Sequence, residues 1–107
     1  MRLFLDTGDV EAIRRANDTG LLDGVTTNPT HIAKTGRTFH EVIKEICNIV
    51  SGPVSVEAMG ETAEELIREA ERASEMAPNI AVKIPMTVAG LRAVPLLEDK
   101  GISCNVT

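Results

Sequence analysis

The sequence is poor in aromatic residues: it has no tryptophan or tyrosine, and its only phenylalanines are Phe4 and Phe39. Aliphatic residues must therefore supply nearly all of the core packing, which the 43% hydrophobic content allows. Basic residues are also scarce, with 11 lysines and arginines against 16 acidic residues and a net charge of −5. They are scattered along the chain, which argues against a nucleic-acid surface. We expect one small globular domain, residues 1–107.

Motifs for disulfides, metals and membranes are lacking as well. Cys47 and Cys104 lie far apart and form no CxxC pair, so both are predicted to be buried, reduced thiols. His31 and His40 have no partner at metal-ligand spacing, so no metal site is expected and both are interpreted as ordinary loop or helix-start residues. No apolar run approaches the roughly 18 residues of a membrane span, and Asp6 introduces a charge too early for a signal peptide. These features predict a soluble, cytoplasmic protein.

What the sequence does contain is an alternation of short apolar strands and amphipathic helices. Two predicted capping boxes, Thr38 with Glu41 and Thr62 with Glu65, mark helix starts, and Pro95 is expected to kink the last helix. The predicted strands span residues 2–6, 24–27, 54–58, 80–84 and 102–107, and the predicted helices span residues 9–17, 38–50, 62–77 and 87–100, with a short helical turn beginning at Pro29.

This order of elements predicts an α/β fold with a parallel sheet. Five strands separated by four helical segments fit either a barrel or an open doubly wound sheet. No glycine-rich nucleotide-binding loop follows any of the strands, which weakens the second alternative. We therefore predict the first five strands and four helical segments of a (β/α)8 barrel, left incomplete.

One lysine interrupts the fourth strand, in the segment AVKIPMT. Strand alternation places Lys83 on the face opposite Val82 and Ile84, away from the packing helices. Desolvation by Val82, Ile84 and Met86 is expected to leave part of the amine neutral, as attack on a carbonyl to form a Schiff base requires. The alternative is a lysine near a strand end whose amine reaches out to water.

Polar residues also follow the other four strands, and the carboxyl ends of barrel strands are where chemistry is found. Several of these residues can also be explained by a purely structural role. Asp6 and Asn28 are ordinary turn residues, Thr26 suits a strand, and Glu57 could be a structural ion-pair partner of Lys83. Together they would form a costly set of buried polar groups unless they had a function. The complete set is Asp6, Thr26, Asn28, Glu57, Lys83, Asn105 and Thr107, the last two having the least secure burial.

The motifs LFLDTGD, GVTTNPT, VSVEA, AVKIPMT and ISCNVT, in this order, resemble the first five strands of the small transaldolases, which share a (β/α)8 barrel with the fructose-6-phosphate aldolases. The resemblance implies a role for each of the polar residues. Lys83 corresponds to the Schiff-base lysine, and Asp6 to the general acid/base. Glu57 corresponds to the carboxylate that handles a catalytic water, and Thr107 to that water's second holder. Thr26, Asn28 and Asn105 correspond to residues that orient substrate hydroxyls.

The resemblance further implies transfer of a dihydroxyacetone unit between sugar phosphates in the pentose phosphate pathway, without a metal or organic cofactor. The acidic composition and the lack of a long apolar run predict no nucleic-acid or membrane partner, and we expect a homo-oligomer for the complete protein. A fructose-6-phosphate aldolase, which releases dihydroxyacetone instead, is the nearest alternative. Glu57 favours the transaldolase, because the aldolase pattern has glutamine at that position.

Length is the departure from the family, whose members are about twice as long. Their phosphate-binding serine and arginine lie on later strands and have no counterpart here. Ending at a fifth strand would leave two open parallel edges, which promote aggregation. We therefore expect a fragment or truncated product more than a complete enzyme, and a non-catalytic remnant that acts only as an interaction or folding unit is a further alternative.

Overall fold

A computed structural model describes the whole chain, Met1 to Thr107. It contains the predicted five strands and four crossover helices, together with one short helix. The strands are β1 (Phe4–Asp6), β2 (Gly24–Thr26), β3 (Val54–Glu57), β4 (Ile80–Ile84) and β5 (Cys104–Val106). The helices are α1 (Val10–Asp18), α2 (Pro29–Ala33), α3 (Phe39–Ile49), α4 (Ala63–Ser74) and α5 (Val88–Asp99).

The five strands form one parallel sheet in the order β1-β2-β3-β4-β5. Each strand pairs with the next one in sequence, so every crossover carries at least one helix and the sheet progresses in one direction. The sheet does not close, and β1 and β5 are its edges. The predicted α/β fold class is confirmed, and the arrangement is consistent with the first part of a (β/α)8 barrel.

The two edge strands are shorter than predicted because each has only one neighbour to pair with. The backbone before β1 bonds to the loop before β2 instead: the Leu3 N–H donates to Asp23 Oδ2 at 2.7 Å, and the Asp23 N–H donates to the Leu3 carbonyl at 2.8 Å. On the other edge, pairing continues past β5, since the Thr107 N–H donates to the Ile84 carbonyl at 2.9 Å. The predicted ranges therefore include residues that are extended but only partly paired.

Side-chain caps fix where the helices begin. Thr62 and Glu65 form the predicted capping box, each side chain accepting from the other residue's N–H. At α3 only half of the predicted box forms: the Thr38 hydroxyl accepts from the Glu41 N–H at 3.4 Å, but no bond returns to Thr38. Pro95 lies inside α5, where it removes one backbone donor without ending the helix.

Gly52 is required where the chain turns from α3 into β3. A Cβ at this position would lie 1.7 Å from the carbonyl oxygen of Asp23, so no other residue fits without moving the loop before β2. Pro53 follows, and its carbonyl accepts the Val25 N–H at 3.0 Å. This close approach aligns β2 with β3, and with them the side chains at the carboxyl ends of both strands.

The hydrophobic core lies between one face of the sheet and the helices. Val25, Val56 and Val82 of the central strands are almost fully buried there. The helices contribute fully buried residues from each crossover: Ile13, Val42, Ile43, Ile46, Leu66, Ala70, Ala93 and Leu97. As the composition predicts, all of these are aliphatic, and Phe4 and Phe39 are 42% and 38% exposed.

Both cysteines are free and half-buried. Burial raises the pKa of Cys47 to about 11. Burial and then the negative charge of Glu98 raise the pKa of Cys104. At neutral pH both are therefore protonated and poorly nucleophilic, which leaves the nucleophile of any covalent chemistry to another residue type.

None of the helices has the length and apolar composition that crossing a membrane requires. No group of three or more His, Cys, Asp and Glu side chains is arranged to hold a metal ion.

Candidate active site

The seven predicted site residues all lie at or just beyond the carboxyl ends of the strands, and we call them the strand-end cluster. Asp6 and Glu57 are the last residues of β1 and β3, and Thr26 is the last residue of β2. The remaining four are Asn28, Lys83, Asn105 and Thr107. Parallel pairing brings these strand ends to one edge of the sheet.

Strand register places three of these residues side by side. Glu57 on β3 is the partner of Lys83 on β4, and Lys83 is in turn the partner of Asn105 on β5. Partner residues of neighbouring parallel strands lie about 4.8 Å apart and point to the same face of the sheet. The lysine therefore sits between a carboxylate residue and an amide residue.

The Lys83 side chain is half-buried and has no charged partner. No carboxylate lies within 4.0 Å of its amine, and the amine makes no hydrogen bond, so Glu57 is not its ion-pair partner. The predicted shielding by Val82, Ile84 and Met86 is not found. The first two are buried on the helix-facing side, and Met86 is 63% exposed.

Asp6 and Thr26 form a second contact in the cluster. They are register partners on β1 and β2, and the Thr26 hydroxyl donates to Asp6 Oδ1 at 2.9 Å. Thr26 is also the partner of Ser55, which precedes Glu57 by two residues on β3. Because alternate strand residues share a face, Asp6 and Thr26 face the same side as Glu57 and Lys83.

The remaining three residues differ in how firmly they are held. Asn28 is the N-cap of α2, and its Oδ1 accepts the His31 N–H at 2.9 Å. The structural alternative therefore explains the oxygen of this side chain, while its Nδ2 makes no hydrogen bond. Asn105 and Thr107 are exposed, as their position predicts. The Thr107 hydroxyl makes no hydrogen bond.

Comparison with known proteins finds a match to one enzyme family over almost the whole chain. The family model described as Transaldolase/Fructose-6-phosphate aldolase matches residues 3–107. The chain belongs to this family. Over 107 residues it is 53% identical to a probable transaldolase of Dictyoglomus turgidum, 57% to probable transaldolase 2 of Listeria monocytogenes and 56% to a probable transaldolase of Streptococcus agalactiae.

All 107 residues align with each of these probable transaldolases, but they cover only 50%, 49% and 50% of the three relatives. The chain thus spans about half the length of the curated relatives it matches. Membership in the transaldolase/fructose-6-phosphate aldolase family extends to the strands that carry the cluster, since the match includes all five.

Two side chains that the sequence interpretation missed belong with the cluster in this family member. Ser55 is fully buried and its hydroxyl accepts from Asn105 Nδ2 at 2.6 Å, which ties β5 to β3 across β4. Ser55 could have been identified from the sequence, because it precedes Glu57 by two residues on β3 and must therefore face the same side of the sheet. His31, interpreted as an ordinary helix-start residue, has its Nδ1 3.7 Å from Asp6 Oδ1. Apart from Gly8, no residue in the sequence hints at that contact, because it depends on how closely the short helix α2 packs on the loop after β1.

Proposed function

We propose that the protein transfers a dihydroxyacetone unit from a ketose phosphate to an aldose phosphate through a Schiff base on Lys83. The observation that carries the proposal is the setting of Lys83, half-buried without an ion-pair partner between Glu57 and Asn105. An unpaired amine can lose its proton and attack a carbonyl, whereas an amine in an ion pair would stay charged. The exchange would belong to the pentose phosphate pathway and needs no metal or organic cofactor.

The reaction would begin with attack of the Lys83 amine on the substrate carbonyl. Loss of water from the adduct gives an iminium ion, which accepts the electron pair of the C3–C4 bond as that bond breaks. Asp6 removes the proton of the C4 hydroxyl, so that the aldehyde product leaves and an enamine remains on the lysine. An acceptor aldehyde then takes the three-carbon unit by the reverse steps, and water releases the new ketose.

The remaining residues would manage water and substrate hydroxyls. Glu57 is next to Lys83 in register, where its carboxylate can take a proton from the water that adds to the imine, and in the reverse step its carboxyl group can give that proton to the hydroxyl that leaves as water. Thr107 would hold the same water. Thr26, Asn28 and Asn105 would orient the substrate hydroxyls, with Asn28 using the Nδ2 that its capping role leaves free.

Reductive trapping tests the proposal directly. When full-length protein is incubated with fructose 6-phosphate and borohydride, reduction of the imine should fix a stable adduct on Lys83, which peptide mass spectrometry can locate. Incubation without borohydride, and with borohydride but no sugar, are the controls. An adduct on another lysine would refute the assignment of the nucleophile to Lys83, and the absence of any adduct would refute the mechanism and favour a non-catalytic role.

Glu57 is expected to set the balance between transfer and release of free dihydroxyacetone. Glu57→Gln keeps the shape of the side chain but removes its ability to take a proton from water. We expect the ratio of dihydroxyacetone released to product transferred to rise by up to roughly a hundredfold, the lower end of a general base's contribution. The measurement is a paired product assay with and without an aldose acceptor.

The matched control is Glu61→Gln, which makes the same change from carboxylate to amide on the exposed loop before α4 and should leave the ratio unchanged. An unchanged ratio in Glu57→Gln would show that Glu57 does not determine the reaction type, and the fructose-6-phosphate aldolase alternative would then rest on other residues.

A further inference from the structure

The carboxylate of Asp6 faces a cavity of about 600 Å³ between the end of β1, the start of α1, α2 and α3. The imidazole of His31 lines this cavity, with Nδ1 3.7 Å from Asp6 Oδ1. The same oxygen accepts the hydroxyl of Thr26 at 2.9 Å. One carboxylate oxygen is thus approached by two side chains, while no hydrogen bond reaches Oδ2.

The two nitrogens of the His31 ring differ in their exposure to solvent. Nδ1 is buried from solvent and has no hydrogen-bond partner, although the whole side chain is 30% exposed. A buried polar atom without a partner is costly, so such an atom beside a carboxylate points to a contact that forms when the site is in use. Hydrogen bonds of active sites are often long in the free protein and shorten when substrate binds.

The backbone around His31 holds the ring at this position. Its N–H is capped by Asn28, which fixes the first turn of α2. Gly8, after β1, packs directly on it: a Cβ at residue 8 would lie 3.0 Å from the carbonyl carbon and oxygen of His31. The distance between Asp6 and the ring therefore depends on a glycine that allows β1 and α2 to approach.

The other charged side chains that line the cavity either bind other residues or form no ion pair with the His31 ring. Glu45 on α3 binds Arg14 at 2.9 Å and Arg37 at 2.6 Å. Asp9 caps α1 through its Oδ1. Glu11 and Lys34 line the cavity without an ion pair to the ring. Asp6 is the carboxylate within 4.0 Å of His31.

We propose that His31 is a positioning residue for Asp6. Together with Thr26, His31 holds Oδ1 of Asp6, and this leaves Oδ2 of Asp6 free to take the proton of the substrate's C4 hydroxyl. The inference rests on the proposed function for the identity of that proton. Its physical content is narrower: a specific interaction between Nδ1 of His31 and the Asp6 carboxylate. An orienting contact of this kind acts on the chemical step and leaves binding of the substrate largely unchanged.

Three substitutions separate this role from simple packing. His31→Leu removes both ring nitrogens, His31→Asn keeps an amide donor near the position of Nδ1, and His31→Gln keeps one near that of Nε2. We expect kcat to fall roughly tenfold in His31→Leu and His31→Gln with KM within about twofold, and to recover in His31→Asn. His40→Leu, at the other, exposed histidine, is the control and should keep wild-type activity.

Gly8→Ala tests the same contact from the other side. Its added methyl should push α2 away from β1 and lower kcat as His31→Leu does. The double variant Gly8→Ala/His31→Leu should then be no worse than either single variant, because both remove one interaction. Additive losses would show that the two residues act separately and would overturn this account of the contact.

A measurement without turnover makes the outcome independent of the proposed reaction. In nitrogen-15 NMR of the full-length protein, the Nδ1 resonance of His31 should move in Asp6→Asn, because the side chain that lies 3.7 Å from Nδ1 has then lost its negative charge. His40 should not change. If Lys83 is not trapped by borohydride, the transaldolase proposal fails and the NMR result alone decides the contact. An unchanged His31 Nδ1 resonance, or equal kcat in His31→Leu and wild type, would overturn the proposal.

Discussion

Replacing Lys83 by methionine in the full-length protein is expected to abolish turnover of fructose 6-phosphate, with kcat reduced by at least about a thousandfold. The residual rate would come from the remaining groups, which can bind and polarise the sugar but cannot form the imine. Methionine matches the length of the lysine stem and leaves no charge behind. Since the Lys83 amine has no ion-pair partner, its removal strands no opposite charge, and we expect unfolding free energy to change by no more than about 1 kcal/mol.

The matched control is Lys44→Met, at an exposed lysine on α3 that forms no ion pair. It makes the same chemical change away from the strand-end cluster and should keep full activity. Circular dichroism and urea denaturation of both variants separate chemistry from folding. A Lys83→Met variant that unfolds would show that the lysine stabilises the sheet, and one with normal turnover would exclude Lys83 as the nucleophile.

The fold was predictable because its signals are local and repeated. Strand alternation identified which residues of β3 and β4 face the helices, and the Thr62–Glu65 capping box marked the start of α4 where the structure has it. The lengths of β1 and β5 were not predictable from the same signals, because pairing at a sheet edge depends on what lies beside it. The Leu3 bond to Asp23 joins residues 20 positions apart.

The candidate site was predictable as a set of residues, but not as a set of contacts. Parallel pairing alone implies that Glu57, Lys83 and Asn105 lie near the same edge of the sheet, where the strands end. The register shows that they are neighbours on adjacent strands. Whether the Lys83 amine touches the Glu57 carboxylate depends on side-chain torsions that no periodicity encodes, and it does not. The contact of His31 with Asp6 escaped prediction for a related reason. It depends on how closely α2 packs on the loop after β1, which only Gly8 hints at.

Residues 1–107 expressed alone are expected to self-associate and to have little transaldolase activity. β1 and β5 are open edges whose unpaired backbone groups can pair with another chain. Exposed apolar side chains lie at both edges: Leu3 at 43%, Phe4 at 42% and Val106 at 38% exposure. Association would cover these groups and obstruct the strand-end cluster. Loss of even one anchor for the substrate lowers the rate steeply, since catalysis by positioning depends on geometry.

Sedimentation velocity and turnover measured on the same preparation test this expectation. Val106→Lys places a charge on the β5 edge, and Leu91→Lys places the same charge on the exposed side of α5, 53% exposed in the parent. If association proceeds through the open edge, the first variant should shift the distribution toward monomer and the second should not, because lysine on an edge strand opposes pairing. Equal behaviour of the two would locate the association elsewhere on the surface. A stable monomer with the activity of the full-length protein would mean that five strands suffice to hold Lys83, Asp6 and Glu57 in working geometry.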